Sequence, residues 1–452
     1  MAIANNYKNK YIFHFTDIRN LDLIIKNGLL CTNIKNKNGI THRNIANTNI
    51  QNRRATMKVP IGPKGKVHDY VPFYFSSINP MLLKKLNEKN VDQPLIVYLC
   101  VKIDRLDKDD AVFTDASANT NVPPTFYDDV KDLNKLNWEL IDSKKWSVPT
   151  DEGKHKKMAE ALIHNRVGIE EVDAIVVFND YIKGKVDKIF KNNGIKTPDI
   201  LLLFDHKIKD YSFYYTKFRF SDRKDETLVH GPLLLRCVYR KLINDIKSVR
   251  QKKKVTYPYK SIKELVNALD KDFSVLPELK EVMGLQQNYA PHNDTVDEHT
   301  KKVVDEMRQL NYYKDTSDER KNVLLLAAYL HDMGKGPKSK WSNTPMNRPY
   351  LDHPADAIPM LKRILVEEIE NLSDEEIRQI CMLVVYHDII GDCIKKGREK
   401  QQVIEVIKNE DDLDMLFAIS CADVKAICEL WFWGLRGKEQ QFKGEIMKMK
   451  RA

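Results

Sequence analysis

The apolar period changes once along this 452-residue chain, and that change restricts it to an architecture of at least two parts. Beyond Ser261 the apolar runs repeat at helical spacing: VLLLAAYLHD, DAIPMLKRILVEEI, EEIRQICMLVVYHD and LDMLFAISCADVKAICELW. Before residue 220 the pattern is mixed. Residues 8–115 hold short β-branched and aromatic runs (YIFHFT, DYVPFYFSS, PLIVYLCVKI) around one helix, NLDLIIKNGLL, closed by Gly28. Residues 151–165 read as a helix, and VDAIVVF and DILLLF as buried strands. A helical stretch from about 226 to 250 runs into KSVRQKKKVTYPYK, whose charge and proline suggest a linker. The expected organisation is an α+β domain over 1–220, a helical and basic linker over 221–260, and an all-α domain over 261–452.

Charge is unevenly divided. Residues 1–250 hold 42 Lys and Arg against 30 Asp and Glu, whereas residues 251–452 hold 32 against 34. A basic half fits a polyanionic partner, although a lysine-rich proteome would give the same excess. No apolar run is long enough to span a bilayer, and the opening MAIANNYKNK lacks an apolar signal-peptide core. The seven cysteines form no C-x-x-C pair, which suits reduced thiols and a cytoplasmic protein.

Three N-terminal clusters carry chemistry. In F-H-F-T, His14 and Thr16 lie on one face of a strand and Asn20 can begin the next helix. Such a pair can grip a ribose or an amide, or can be a satisfied core histidine and its neighbour. Next, Arg53 and Arg54 stand in a polar, loop-like setting before a Gly/Pro turn. A guanidinium offers phosphate a fixed fork of donors. Tyr70 and Tyr74 on the following aromatic strand can frame a flat ring or belong to the core. Third, Glu160 interrupts an apolar helix or strand face made by Met158, Ala161 and Leu162. A carboxylate there is costly without a partner, which marks it as a site candidate. One carboxylate is also what glycosyl transfer through an oxocarbenium-like state requires.

In order along residues 8–215, these pieces resemble the DarT family, bacterial toxins that ADP-ribosylate nucleic acid bases. The resemblance is carried by H-F-T-x-I-x-N-L, I-x-N-R-R, D-Y-V-P-F-Y-F-S-S-I-N-P-M-L, V-F-T-D, L-N-W-x-x-I with Trp146, and K-K-M-A-E-A-L-I-H. It implies a split-sheet ADP-ribosyltransferase core that uses NAD. Glu160 then matches the catalytic glutamate, Arg54 the arginine of the catalytic site, and His14, Thr16 and Asn20 the NAD contacts; the flat ring that Tyr70 and Tyr74 can frame is then the nicotinamide. Ala161 and Phe15 depart from the residues usual at their positions, without touching the chemistry. The Asn-rich loop 117–122 falls where the family reads nucleic acid.

In the C-terminal half, histidines and aspartates recur at or near helix ends: His299, His331, Asp332, His353, His387 and Asp423. Imidazole with carboxylate suits Zn, Mn, Fe or Mg, and the core of a helical bundle is a common place for such a site. The ordered series H…HD…H…H…D resembles the HD phosphohydrolase superfamily. The upstream stretch LPELKEVMGLQQNYAPHNDTVDEHT is similar to the HD domain of bacterial tRNA nucleotidyltransferases and poly(A) polymerases. The resemblance assigns a divalent metal to His299, His331, Asp332 and Asp423. It leaves His353 and His387 for a second ion or a substrate phosphate.

The two resemblances imply a toxin or anti-phage enzyme that moves ADP-ribose from NAD onto a base of single-stranded nucleic acid. Thymine in DNA is the first expectation, then guanine, then RNA. A cognate antitoxin is an expected partner and a membrane is not. The HD module is open to three readings: a phosphohydrolase, a scaffold, or a built-in brake. A rival reading makes the phosphohydrolase the main activity and the N-terminal domain a nucleotide sensor.

Overall fold

A computed structural model of the chain describes residues 3–45, 48–118, 123–143, 145–146, 148–202, 229–252, 256–292, 294–342 and 345–451. The backbone divides into two compact units, Met1–Leu86 with Val91–Lys217, and Asn87–Asn90 with Phe218–Ala452.

The first unit is built on strands β1 (Tyr11–Asp17), β2 (Leu29–Leu30), β3 (Tyr70–Tyr74), β4 (Ile96–Lys102), β5 (Ala111–Thr114), β6 (Phe126–Tyr127), β7 (Glu160–His164), β8 (Arg166–Val167), β9 (Ala174–Val177) and β10 (Asp199–Leu202). Eight form one mixed sheet in the order β10-β9-β4-β1-β3-β7-β5-β6, and β2 pairs with β8. The apolar runs explain the centre: β4 buries Ile96 through Val101, as a strand covered on both faces should. β1 pairs with β4 from Tyr11↔Lys102 to Asp17↔Ile96, whereas its only registered pair with β3 is Phe13↔Tyr74. The sheet therefore opens between β1 and β3, as the split-sheet expectation requires. The helix Leu21–Asn27 ends at Gly28, where φ is 79° and a side chain would strike the Val167 carbonyl at 2.7 Å.

Two local expectations are corrected. Residues 151–165 are not one helix: the helix is Asp151–Lys157, and Glu160–His164 is strand β7 between β3 and β5. The run ALIH has no polar side to show solvent, and pairing on both edges decides for strand. Arg53 and Arg54 are likewise not in a loop but close the helix Thr48–Arg54.

The second unit is helical, and its helices begin where the sequence supplies caps. The side chains of Ser261, Thr295, Ser317 and Ser373 accept from the amides of Glu264, Glu298, Arg320 and Glu376. The segment expected as a linker is partly a helix, Pro232–Lys252. Its Leu235, Tyr239, Leu242 and Ile246 enter the same core as Leu326, Leu361 and Leu383. The remaining linker positions 221–228 and 253–255 lie outside the described residues. Among the described residues, no helix is long and apolar enough to cross a membrane.

Candidate functional sites

The opening between β1 and β3 is a cavity of about 420 Å³ lined by His14, Thr16, Asn20, Arg54, Tyr70 and Tyr74, among others. The sequence-predicted contacts are thus brought together, each by a separate device. His14 Nδ1 donates to the Pro72 carbonyl at 2.8 Å, because a carbonyl can only accept. That leaves the Nε2 lone pair, and burial lowers the His14 pKa to about 4, so the ring is neutral at pH 7. Asn20 does not cap its helix. Its amide donates to Thr16 Oγ1 at 3.0 Å and to the Arg43 carbonyl at 2.9 Å, and accepts from the Arg43 amide at 2.8 Å. It thereby ties the loop through Arg43 to β1. The Tyr74 ring stacks on Phe15 at 5.6 Å. Tyr70 is more deeply placed, with its hydroxyl donating to the Lys64 carbonyl at 2.7 Å.

Glu160 stands opposite Tyr74 in the β3–β7 register and is fully buried. Arg54 Nη1 meets both of its carboxylate oxygens at 2.8 Å, and the Ala118 amide donates to Oε1 at 2.9 Å. Burial works against charge on Arg54, but Glu160 beside it outweighs that and raises its pKa. Arg54 lines the cavity while the carboxylate lies behind it. Two supports escaped sequence reasoning. The Ala118 donor is a backbone amide, which has no side-chain signature. Lys157 is buried and donates to the Leu140 and Ser143 carbonyls at 2.9 and 2.7 Å, holding that loop to the residues just before Glu160. Of the Asn-rich loop, positions 119–122 lie outside the described residues.

In the helical unit, His331 and His387 follow the last turns of Asp318–Leu330 and Asp374–Tyr386, and His353 opens His353–Glu367. Each donates Nδ1–H to a carbonyl three residues earlier: Ala328 at 2.7 Å, Tyr350 at 2.6 Å and Val384 at 2.8 Å. The lone pairs are therefore fixed on Nε2, and all three point inward. Nε2 of His353 and His387 are 3.0 Å apart, a contact that needs a cation or a proton between them. Among the described residues Nε2 of His331 has no hydrogen-bond partner, and it lies 3.4 Å from Asp332 Oδ2. His299 Nε2 is 2.9 Å from Asp423 Oδ1. Two triads of ligand atoms result, His299–His331–Asp332 and Asp332–His353–His387, with Asp332 common to both.

This donor set fits a divalent metal, since His331, His353 and His387 each present an Nε2 lone pair with the other nitrogen anchored, beside the carboxylate of Asp332. Lys335, to which sequence reasoning gave no role, donates to Asp332 Oδ2 at 2.6 Å and to Gln287 at 2.8 Å. Burial alone would raise the Asp332 carboxyl, but Lys335 and the histidines hold it well below the carboxylate range. Gly334 lets this turn approach closely, for a Cβ there would lie 2.0 Å from the His353 carbonyl.

A cavity at a split mixed sheet, walled by a buried Arg–Glu pair, defines an ADP-ribosyltransferase-type domain, and the histidine–aspartate cluster defines an HD-type domain. Residues 13–202 match the family model "ssDNA thymidine ADP-ribosyltransferase, DarT", and residues 296–416 match the HD domain. A DNA ADP-ribosyl transferase of Thermus sp. (strain 2.9) is 34% identical over 185 residues, covering 40% of this chain and 87% of that protein. One of Thermus aquaticus is 32% identical over 183 residues, covering 39% and 79%. The solved structure of Thermus sp. 2.9 DarT in complex with ADP-ribosylated ssDNA is 29% identical, with a TM-score of 0.41, covering 47% of this chain and 99% of that one. The chain belongs to the DarT family of DNA ADP-ribosyltransferases, and it carries an HD domain after the DarT domain.

Proposed function

We propose that this protein transfers ADP-ribose from NAD to a base of single-stranded DNA, with thymine as the acceptor. The buried Arg54–Glu160 pair on the wall of the β1–β3 cavity carries the reading. His14, Thr16 and Asn20 hold the nicotinamide ribose and amide, and Tyr74 packs on the nicotinamide ring. Lys35 and Arg43, which also line the cavity, offer cations to the diphosphate. As the bond from C1″ to the nicotinamide nitrogen breaks, its electron pair leaves with nicotinamide. Positive charge develops on the ribose, where Glu160 stabilises it. Glu160 reaches the ribose only when Arg54 turns from the carboxylate toward a phosphate or the incoming base. A thymine ring nitrogen bonds to C1″ and releases its proton. The rival reading, a nucleotide sensor, gives the buried carboxylate no task.

In the HD domain, His299, His331, Asp332 and Asp423 would hold a divalent metal, with His353 and His387 for a second ion or a phosphate. Such an ion polarises a phosphoester and activates water. The chain's own part is to fix the Nε2 lone pairs and to neutralise Asp332 through Lys335. The reading places the protein in the cytoplasm.

The test mixes the full chain, NAD and short homopolymers of DNA and RNA, and follows the mass of one added ADP-ribosyl group. Product on oligo-dT is expected. Modification confined to protein acceptors overturns the reading.

A further inference from the structure

The helix Glu429–Arg436 follows the helix that carries Asp423. It turns Phe432 and Leu435 into the core and leaves Trp431 39% and Trp433 60% exposed. Exposed tryptophans on one short helix serve either a protein contact or a stacked base, and the charges around them decide. Beside Trp433, Arg436 is paired with Glu439, and Lys425 with Glu306. Trp431 differs. Lys395 Nζ lies 5.0 Å over its ring and donates to its carbonyl at 3.5 Å. Lys395 is exposed and, among the described residues, forms no ion pair. An indole with an unpaired ammonium group over it suits a base and its phosphate.

Both halves of this corner follow cluster residues in the chain, Lys395 after His387 and Trp431 after Asp423. Lys395 is on the short helical run Asp392–Lys396 that follows His387. Its neighbour Lys396 pairs with Asp392 at 2.9 Å and lies in the field of Asp388 and Asp423.

We propose that Trp431 and Lys395 form a docking platform for single-stranded nucleic acid, one base taking the place over the indole that the Lys395 ammonium holds and its phosphate meeting that ammonium. The platform would present a neighbouring phosphoester to the HD centre, a clause that rests on the phosphohydrolase reading.

The full chain is irradiated with oligo-dT containing 5-iododeoxyuridine, and crosslinked peptides are mapped by mass spectrometry. A crosslink to the peptide holding Trp431, lost in Trp431→Ala and weakened in Lys395→Ala, is expected. Hydrolysis is measured on the oligonucleotide and on bis(p-nitrophenyl) phosphate, which has no base to stack. Trp431→Ala should raise KM for the oligonucleotide about tenfold, the scale of one stacked base, and leave the small diester unchanged. Trp431→Phe should recover most of that loss. If neither diester is cleaved but the crosslink maps to Trp431, the platform stands and the phosphohydrolase reading falls. If both are cleaved and no crosslink reaches this helix, the platform falls alone. A change of oligomeric state in Trp431→Ala without a crosslink assigns the surface to a second copy and overturns the proposal.

Discussion

Removing Arg54 and removing Glu160 should affect stability very differently, although they are two ends of one ion pair. Their side chains are 7% and 0% exposed, so neither is a surface group. Arg54, however, lines the cavity, and without its partner it can turn into water there. Glu160 does not line the cavity, and among the described residues its carboxylate keeps only the Ala118 amide once Arg54 is gone. Breaking a buried pair so that one charge stays buried costs about 3 to 5 kcal/mol. Losing charge-assisted hydrogen bonds while the survivor rehydrates costs about 1 to 3 kcal/mol. Arg54→Ala should therefore be the more destabilising change by about 2 kcal/mol, whereas Glu160→Ala should be stable and inactive, at least about a hundredfold down in transfer. Because the chain has two units, the readout must belong to the first. Cys100, buried on β4, provides it through maleimide labelling across a urea titration. The difference amounts to a midpoint shift of about 1 M at a slope of about 2 kcal/mol per molar. Equal midpoints for the two variants, or near-normal transfer by Glu160→Ala, would refute the reasoning.

Three further outcomes follow from the geometry. The His14 pKa of about 4 lies below the ordinary 6.5, so the unfolded chain takes up this proton first. The His14 contribution to stability is complete above pH 6.5 and lost as pH falls toward 4, and an NMR titration midpoint near 6.5 would contradict it. Replacing His331 and Asp332 by Ala should abolish bound metal, read by elemental analysis, and leave ADP-ribosyl transfer intact; a transfer defect would show that the clusters act together. Single-stranded oligonucleotides should be modified and their fully paired duplexes not, because pairing hides the ring nitrogen, and binding should weaken steeply with salt. Equal modification of duplex would reject that acceptor geometry.

The candidate site residues were more legible than the elements that carry them. Glu160 was visible because a carboxylate among Met158, Ala161 and Leu162 needs a reason, yet its strand was read as part of a helix. The lysine-rich window before it is helical, and a four-residue apolar run has no period of its own. The histidine–aspartate cluster was legible because its histidines stand at or near the ends of apolar helices. Lys335 was not, since one lysine in a loop string looks like any other. The charge run through Arg250 hid the buried spacing of Leu235, Tyr239, Leu242 and Ile246 on the opposite face of the same helix. Ala118 could not be found at all, because its contribution is a backbone amide brought close by the fold.

The near-missing ladder between β1 and β3 makes the first unit a sheet with a seam. On one side lie His14 and Thr16, and on the other Tyr74 and Glu160, with Phe13↔Tyr74 as the one registered rung between. A dinucleotide lying along the seam would supply cross-links the backbone does not. Its binding energy then works as mechanical reinforcement, raising apparent stability in proportion to RT ln(1 + [L]/Kd). The amides of β1 and β3 should gain exchange protection together as free NAD rises. A drop in NAD would loosen the very strands that consume it.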